Sequence, residues 1–270
     1  MTYRSSTGQS IVHAQYRELL ADWPVPSEQR LIDTRQGPTF VVSSGPAGAP
    51  PLILLHGSAG TTLDWSNDVP AWSKTFRVHA IDTISEPGLS ASPRPELGSP
   101  AYAEWLDDVL DGLGVERFSV VGFSLGAWFA LDYATRRPGR VQRLALLSPA
   151  GLSRMKVLPI LPALLLRPFG EWGHRRSVAT IIGPLPEGLD WDNLGFALLV
   201  QKHFAARTGA MPTFTDEQLE NLDLLAIVGS KDRMFDAAGT ARRLPGRSVT
   251  IEGAGHLLPP QTERVLEFLR

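Results

Sequence analysis

The fold of this chain is decided by the stretch Gly122-Phe123-Ser124-Leu125-Gly126. An apolar run at residues 118–121 precedes it, and a run with helical spacing at residues 127–137 follows it. The order strand, serine, helix is typical of a sharp turn that holds the serine in a strained backbone conformation, with small residues two positions to either side. The pattern predicts that the Ser124 hydroxyl stands above a sheet edge and that the Leu125 N–H points to the same place. A glycine-bracketed serine can also be an ordinary turn, so the rest of the chain must decide.

A serine hydroxyl is a weak nucleophile until a base accepts its proton, which makes the six histidines the next point of interest. His256 follows a strand pattern at residues 248–251 through a glycine-containing turn, and it precedes the last helix pattern. This predicts a loop at the carboxyl edge of the sheet, where a catalytic base is expected. A lone loop histidine is more often a surface residue. His256 is favoured as the base because it follows both Ser124 and an acidic candidate in chain order.

That acidic candidate is Asp232, which closes a buried-strand pattern at residues 224–228 and the short loop after it. A carboxylate there can accept a hydrogen bond from one imidazole nitrogen while the other nitrogen faces the serine. Asp236 is the alternative, but it is better placed to cap the helix predicted to begin near Ala237. Residues 147–150, after the preceding strand, contain no carboxylate. The predicted order is therefore serine, acid, histidine.

A second small-residue loop, His56-Gly57-Ser58-Ala59-Gly60, follows the strand pattern at residues 52–55. A loop of this kind can turn a backbone N–H, here that of Ser58, toward an oxyanion formed near the serine. The alternative is a glycine-rich turn with no ligand. Beside the Ser124 turn, we expect it to supply the second oxyanion donor.

With these motifs, the chain resembles the α/β-hydrolase family, in its lid-bearing, carboxylesterase-like serine hydrolase group. Four motifs in the right order carry the resemblance over residues 38–270: His56-Gly57 with Ser58, the Ser124 pentapeptide, Gly229-Ser230-Lys231-Asp232 and Gly253-Ala254-Gly255-His256. The resemblance implies an α/β fold with a mostly parallel eight-stranded sheet flanked by helices and an inserted helical lid. It implies a catalytic triad of Ser124, Asp232 and His256, with the N–H groups of Ser58 and Leu125 as the oxyanion hole.

One loop departs from the family pattern. Family members often carry Asp-x-x-Gly-x-Gly-x-Ser after the fourth strand, whereas residues 82–90 read Asp-Thr-Ile-Ser-Glu-Pro-Gly-Leu-Ser. The first glycine is missing and a proline stands before the second. The conformation of this loop, and any contact from Ser85 or Glu86 to a substrate, stay open at this point.

Alternating strand and helix patterns predict one parallel sheet covered by helices on both faces. The strand patterns lie near residues 39–43, 52–55, 77–81, 118–121, 143–147, 224–228 and 248–251. The helix patterns lie near residues 101–113, 125–137, 237–244 and 261–269. In the first of these helices the apolar positions recur at helical spacing, which places Trp105 and Leu106 in the core.

The chain divides into a core of residues 1–151 and 215–270, with residues 1–30 as an N-terminal arm, and a lid of residues 152–214. The lid follows from a connection between two strands that is too long for a simple crossover. Its apolar run at residues 157–166 can roof the site and bind an apolar acyl or aromatic group, dock on a membrane, or attach the lid to the core. Four lid aromatics can line a pocket or pack within the lid: Trp172, Trp191, Phe196 and Phe204.

Composition excludes several classes of function. The net charge is −2 and no basic stripe suggests nucleic acid. There is no cysteine, hence no disulfide framework, thiol chemistry or cysteine metal site. No run reaches transmembrane length, and residues 1–23 are polar without an apolar signal core, so we expect a cytoplasmic protein without integral membrane association. No cofactor or metal is implied, the expected partner is a small apolar ester, and the oligomeric state is open.

The expected reaction is hydrolysis of carboxylic esters through an acyl-enzyme. A serine in the turn argues against dehalogenase and epoxide hydrolase chemistry, which uses an aspartate there in this family. The same triad serves hydrolysis of a carbon–carbon bond in a diketone-like substrate, and nothing in the sequence excludes it. A catalytically weak, ligand-binding α/β hydrolase is the third interpretation.

Overall fold

A computed structural model describes residues 2–156, 165, 169–189, 194–207 and 211–270. Its centre is an eight-stranded sheet in the order β1-β2-β4-β3-β5-β6-β7-β8. The strands are β1 (Ser27–Ile32), β2 (Thr39–Ser44), β3 (Pro51–Leu55), β4 (Arg77–Ile81), β5 (Phe118–Phe123), β6 (Val141–Leu147), β7 (Leu224–Gly229) and β8 (Ser248–Ile251). β2 pairs antiparallel with both β1 and β4, and the other neighbours are parallel. The expected sheet is confirmed.

Helices lie on both faces of the sheet. Those that the structure describes are α1 (Ser6–Ala21), α2 (Val69–Trp72), α3 (Ala101–Leu113), α4 (Leu125–Arg136), α5 (Gly170–Ile182), α6 (Gly195–His203), α7 (Asp216–Glu220), α8 (Ala237–Arg243) and α9 (Thr262–Leu269). Within the described ranges, no helix combines the length and the hydropathy needed to cross a membrane.

Two apolar clusters sandwich the sheet. One cluster joins the sheet to α3 and α4 and includes Trp105, Leu106 and Trp128, so the predicted core positions are confirmed. The other joins the opposite face to α2 and α9 and includes Trp65 and Trp72. The central strands are buried on both faces, which explains why their sequences are continuous apolar runs without alternation.

β1 has no counterpart among the predicted strand patterns. Its sequence, Ser-Glu-Gln-Arg-Leu-Ile, is mostly polar, and five of its six residues are exposed at the sheet edge. An edge strand without a buried face shows little apolar periodicity, so the sequence pattern cannot reveal it. β1 begins at Ser27, inside the range expected for the arm.

The arm contains a much longer helix than the short one expected near residues 16–20. α1 begins after Ser5, whose side chain accepts a hydrogen bond from the Gly8 N–H as an N-cap. One side of α1 packs on β2 and the other on α6, through two separate apolar clusters. The arm therefore connects the core sheet to the segment inserted between β6 and β7.

Candidate active site

The turn between β5 and α4 holds Ser124 in a conformation that non-glycine residues rarely adopt. Its φ is +52° and its ψ is −109°. A Cβ on Gly122 would lie 2.6 Å from the Ala127 Cα, and one on Gly126 would collide with the Leu55 carbonyl oxygen. The two glycines therefore allow α4 to start directly against the strands. This is the geometry that the pentapeptide predicts.

A continuous chain of hydrogen bonds links the three residues predicted as a triad. The His256 Nε2 lies 3.0 Å from the Ser124 Oγ, and the His256 Nδ1 lies 2.9 Å from the Asp232 Oδ2. All three side chains are buried, although 108 residues separate the serine from the acid in sequence. The three strands β5, β7 and β8 bring them together because they are parallel and end at the same edge of the sheet.

The carboxylate of Asp232 is fixed by the backbone that follows it. Its Oδ1 accepts the N–H groups of Met234 at 2.7 Å and Phe235 at 3.1 Å, which leaves Oδ2 for the imidazole. Asp236 stands at the N-cap position of α8, but its side chain makes no capping hydrogen bond and lies 3.7 Å from Arg242. The predicted N-cap position is thus observed without the capping contact.

The backbone of His256 has two partners that the sequence did not indicate. The Ser148 hydroxyl donates to the His256 carbonyl at 2.7 Å, and the His256 N–H donates to the Ile182 carbonyl at 2.7 Å. Ser148 follows β6, in the segment where the sequence showed no carboxylate. A polar residue directly after the strand beside the serine strand is the signal that could have found it.

The two expected oxyanion donors lie on neighbouring strand ends. β3 and β5 are parallel, with Leu55 opposite Gly122, so the loop after β3 emerges beside the Ser124 turn. Leu125 is the first residue of α4, where an N–H has no acceptor within its own helix. The two loops lie so close together that a Cβ on Gly57 would be 2.7 Å from the Phe123 ring.

His56 connects this loop to the end of β4. Its Nε2 accepts the Thr83 N–H at 3.0 Å, and its Nδ1 lies 2.9 Å from the Gly57 carbonyl oxygen. Burial lowers the pKa of His56 to about 4, so the ring is neutral at neutral pH and Nδ1–H donates to Gly57. His56 therefore orients the loop from inside the core and is not available as a base.

Comparison with known proteins settles the family. The sequence model described as alpha/beta hydrolase fold matches residues 50–179. Two Bacillus subtilis proteins are similar over 94% of the chain: the uncharacterized carboxylesterase nap at 40% identity, covered over 90% of its length, and carboxylesterase YbfK at 30%, covered over 92%. The chain belongs to the α/β-hydrolase family.

Solved structures of the family agree. The crystal structure of carboxylesterase CesB (YbfK) from Bacillus subtilis superimposes with a TM-score of 0.82 at 29% identity, over 97% of this chain and 98% of that one. Naproxen esterase (carboxylesterase NP) from the same organism gives a TM-score of 0.78 at 28% identity, with the same coverage.

The loop after β4, which departs from the usual α/β-hydrolase pattern, is built around Asp82. This fully buried carboxylate accepts hydrogen bonds from the Tyr16 hydroxyl at 2.8 Å, the Thr62 N–H at 3.0 Å and the Leu89 N–H at 2.8 Å. Burial raises the pKa of Asp82 to about 6, against the opposing effect of these donors. A Cβ on Gly88 would collide with the carboxylate, which explains the glycine retained there.

The missing family glycine is replaced by a strained serine. Ser85 has a φ of +72°, in the left-handed region that glycine adopts without steric cost. The Ser85 N–H donates to the Ala91 carbonyl at 3.1 Å, and its hydroxyl lies 3.0 Å from the Tyr102 hydroxyl. The loop thus keeps a left-handed turn without the glycine.

The four aromatic residues expected in the lid have different surroundings. Phe196 stacks on Tyr16, with ring centroids 5.8 Å apart, and Phe204 packs edge-on against Tyr3 at 5.4 Å. Both contacts attach the α6 segment to the N-terminal residues, so these two aromatics join the segment between β6 and β7 to α1 and the residue Tyr3 before it. Trp172 is exposed, and Trp191 lies outside the described residues. The apolar run at residues 157–166 also lies outside them, except for the exposed Leu165.

The part of the chain that the structure describes shows no candidate metal site. No group of three or more His, Asp and Glu side chains in that part of the chain could hold an ion.

Proposed function

We propose that this protein is a serine hydrolase that cleaves carboxylic esters of apolar acyl or aromatic groups. The observation that carries the proposal is the hydrogen-bond chain from Asp232 through His256 to a strained Ser124. Similarity to two carboxylesterases over more than nine-tenths of the chain supports ester chemistry. Similarity to a naproxen esterase supports an aromatic acyl group.

In the acylation half of the proposed reaction, the Ser124 Oγ attacks the ester carbonyl carbon while His256 Nε2 takes the hydroxyl proton. The carbonyl oxygen becomes negative and accepts the N–H groups of Leu125 and Ser58. Collapse of this tetrahedral intermediate breaks the bond to the alcohol, which leaves with the proton held by His256. The acyl group stays on Ser124.

In the deacylation half, water attacks the acyl carbon and His256 Nε2 takes its proton. The second tetrahedral intermediate expels Ser124, which recovers a proton from His256, and the carboxylic acid is released. Asp232 accepts the Nδ1–H throughout, so it fixes the tautomer and stabilises the imidazolium. The backbone N–H groups of Met234 and Phe235 hold the carboxylate in place.

We propose also that residues 152–214 form a lid on a core of residues 1–151 and 215–270. The support is the contact between the end of α5 and the loops that carry Asp232 and His256. The Ile182 carbonyl accepts the His256 N–H, and a Cβ on Gly255 would collide with the Pro184 carbonyl oxygen. A Cβ on Gly183 would lie 2.8 Å from the Lys231 carbonyl oxygen.

Initial rates on p-nitrophenyl esters of increasing acyl length, and on an aryl-acid ester, test the proposal. Ser124→Ala should abolish turnover, because loss of the nucleophile in a serine hydrolase removes on the order of 10⁶ in kcat. Ser119→Ala, at the opposite end of the same strand, is the matched control and should keep the wild-type rate.

Failure has two distinguishable forms. In the first, no ester is hydrolysed, but a dienoate-type diketone substrate loses absorbance in a Ser124-dependent reaction. The proposed reaction would then be carbon–carbon bond hydrolysis and not ester hydrolysis. In the second, a fluorophosphonate probe does not label Ser124. The protein would then be interpreted as a ligand-binding α/β hydrolase without an active nucleophile.

A further inference from the structure

A buried glutamate touches the loop that carries the proposed second oxyanion donor. Glu86 is only 2% exposed, and its Oε2 accepts the Ala59 N–H at 2.7 Å. Ala59 directly follows Ser58. The hydrogen bond therefore links the loop after β4 to the loop after β3, 27 residues away in sequence.

Both ends of this link are strained. Ala59 has a φ of +59° and Ser85, next to Glu86, has a φ of +72°. Non-glycine residues keep left-handed conformations only where surrounding contacts impose them, and such residues concentrate at functional sites. Ser85 is fixed by its own hydrogen bonds to Ala91 and Tyr102. At Ala59, the contact that fixes the N–H is the Glu86 carboxyl.

The peptide planes explain why this contact matters to Ser58. The Gly57 carbonyl and the Ser58 N–H belong to one rigid plane, and His56 holds that plane through the carbonyl at 2.9 Å. The Ala59 N–H belongs to the next plane, which Glu86 holds. With both planes fixed, the direction of the Ser58 N–H is set before a substrate arrives.

A buried glutamate carries a desolvation cost that a purely structural contact does not require. Its Oε1 is buried and has no hydrogen-bond partner within the described residues. Arg94 and Arg207 favour its charged form at a distance, but their guanidinium groups hydrogen-bond elsewhere, Arg94 to the Ala205 carbonyl and Arg207 to the Tyr102 hydroxyl. Burial dominates and raises the pKa of Glu86 to about 7.

We propose that Glu86 is a positioning residue for ester hydrolysis, whose carboxyl oxygen anchors the Ala59 N–H and thereby orients the Ser58 N–H for the oxyanion. The inference rests on the proposed function. It assigns Glu86 no contact with the substrate. It predicts that a hydrogen-bond acceptor at position 86 is what catalysis needs, whether or not that acceptor is charged.

The test compares Glu86→Gln with Glu86→Leu. Glutamine keeps an amide oxygen for the Ala59 N–H, whereas leucine has similar volume and no acceptor. We expect E86L to lower kcat on the best p-nitrophenyl ester about 10- to 100-fold, somewhat less than the full loss of one oxyanion donor, and to leave KM within about threefold. E86Q should stay within about threefold of the wild type in both constants.

E86L with a kcat within about twofold of the wild type would overturn the proposal. So would an equal loss in E86Q and E86L, because the charge, and not the acceptor, would then be what matters.

Amide hydrogen exchange at Ala59 in the wild-type protein, read by NMR, is a second test that requires no folded variant. We expect clear protection at Ala59, and exchange at the rate of a free loop amide would refute the anchor. If the wild type shows no Ser124-dependent ester hydrolysis, the proposed function fails, while the exchange at Ala59 still decides whether Glu86 anchors the loop.

Discussion

The two halves of the candidate site are built by different means. The half that carries Ser124, Asp232 and His256 is held by glycines that permit close approach and by backbone hydrogen bonds. The half that carries the oxyanion loop is held by buried side chains, His56 and Glu86, and contains the left-handed Ala59. Both halves lie at the carboxyl edge of one sheet.

The two halves should differ in how they tolerate amino-acid substitutions. Backbone donors around Asp232 are neutral and cannot be removed by substituting one side chain. The oxyanion half depends on side chains that can be lost by a single substitution, and both His56 and Glu86 are ionisable groups held away from water. We therefore expect the triad half to be sensitive at its three reacting residues, and the oxyanion half to be sensitive at residues that never touch the substrate.

After the loss of the nucleophile itself, the largest expected effect also lies in the triad half. Asp232→Asn should lower kcat by on the order of 10⁴, because the amide can hold the imidazole in the wrong tautomer and cannot stabilise its charged form. Asp236→Asn, four residues later, is the matched control and should keep the wild-type rate. Steady-state kinetics on the p-nitrophenyl ester would show the contrast, and equal rates in the two variants would remove Asp232 from the mechanism.

A smaller effect on kcat is expected from Ser148, whose side chain supports the triad half. Ser148→Ala removes the hydroxyl that donates to the His256 carbonyl. A single hydrogen bond is worth roughly 0.5–1.5 kcal/mol, so kcat should fall by about 2- to 10-fold. Ser248→Ala, which removes a similar bond to the Leu244 carbonyl outside the site, serves as the control. No change in S148A would mean that the base is fixed without this bond.

The last expected effect is on stability and not on turnover: it is a pH-dependent change in the free energy of unfolding at Glu86. Its pKa in the folded protein is about 7, above its usual 4.5, so between these pH values the folded state binds more protons than the unfolded state. The free energy of unfolding of the wild type therefore falls as pH rises through this window. Glutamine does not titrate, so the E86Q protein does not lose this stability. We expect the difference in Tm, E86Q minus wild type, to increase by a few degrees when the pH is raised from 4.5 to 8.

Thermal unfolding followed by circular dichroism at several pH values measures this difference. A Tm difference between E86Q and the wild type that stays constant across the range would show that Glu86 does not titrate in that window.

The same division explains what the sequence could predict. The residues Ser124, Asp232 and His256 were found because short local motifs follow strands, and parallel strands bring their ends together. Their observed geometry agrees with that prediction, while their catalytic role stays a proposal. The sheet was also predictable, since buried strands are apolar runs, except for the polar edge strand β1.

The supports of the oxyanion half were not predictable in the same way. The sequence marked residues 82–90 as a departure from the family pattern, but no local pattern shows that Glu86 reaches Ala59 or that Ser85 is left-handed. Such contacts depend on how two loops pack after the sheet has formed. Ile182 is unpredictable for the same reason, because its carbonyl acts on the backbone of His256 from a distant segment. Ser148 differs, since its position directly after β6 is a local signal, but the sequence does not show that its hydroxyl reaches the His256 carbonyl.

The hydrogen bond between Ile182 and His256 has a consequence for protein engineering. Exchanging residues 152–214 for the corresponding insertion of another esterase is an attractive route to new substrate preference. In this chain such a chimera would also remove the acceptor of a buried N–H on the proposed catalytic base. A donor segment that lacks a carbonyl at that point would weaken turnover on every substrate, so a graft should retain residues 182–184 and exchange only what precedes or follows them.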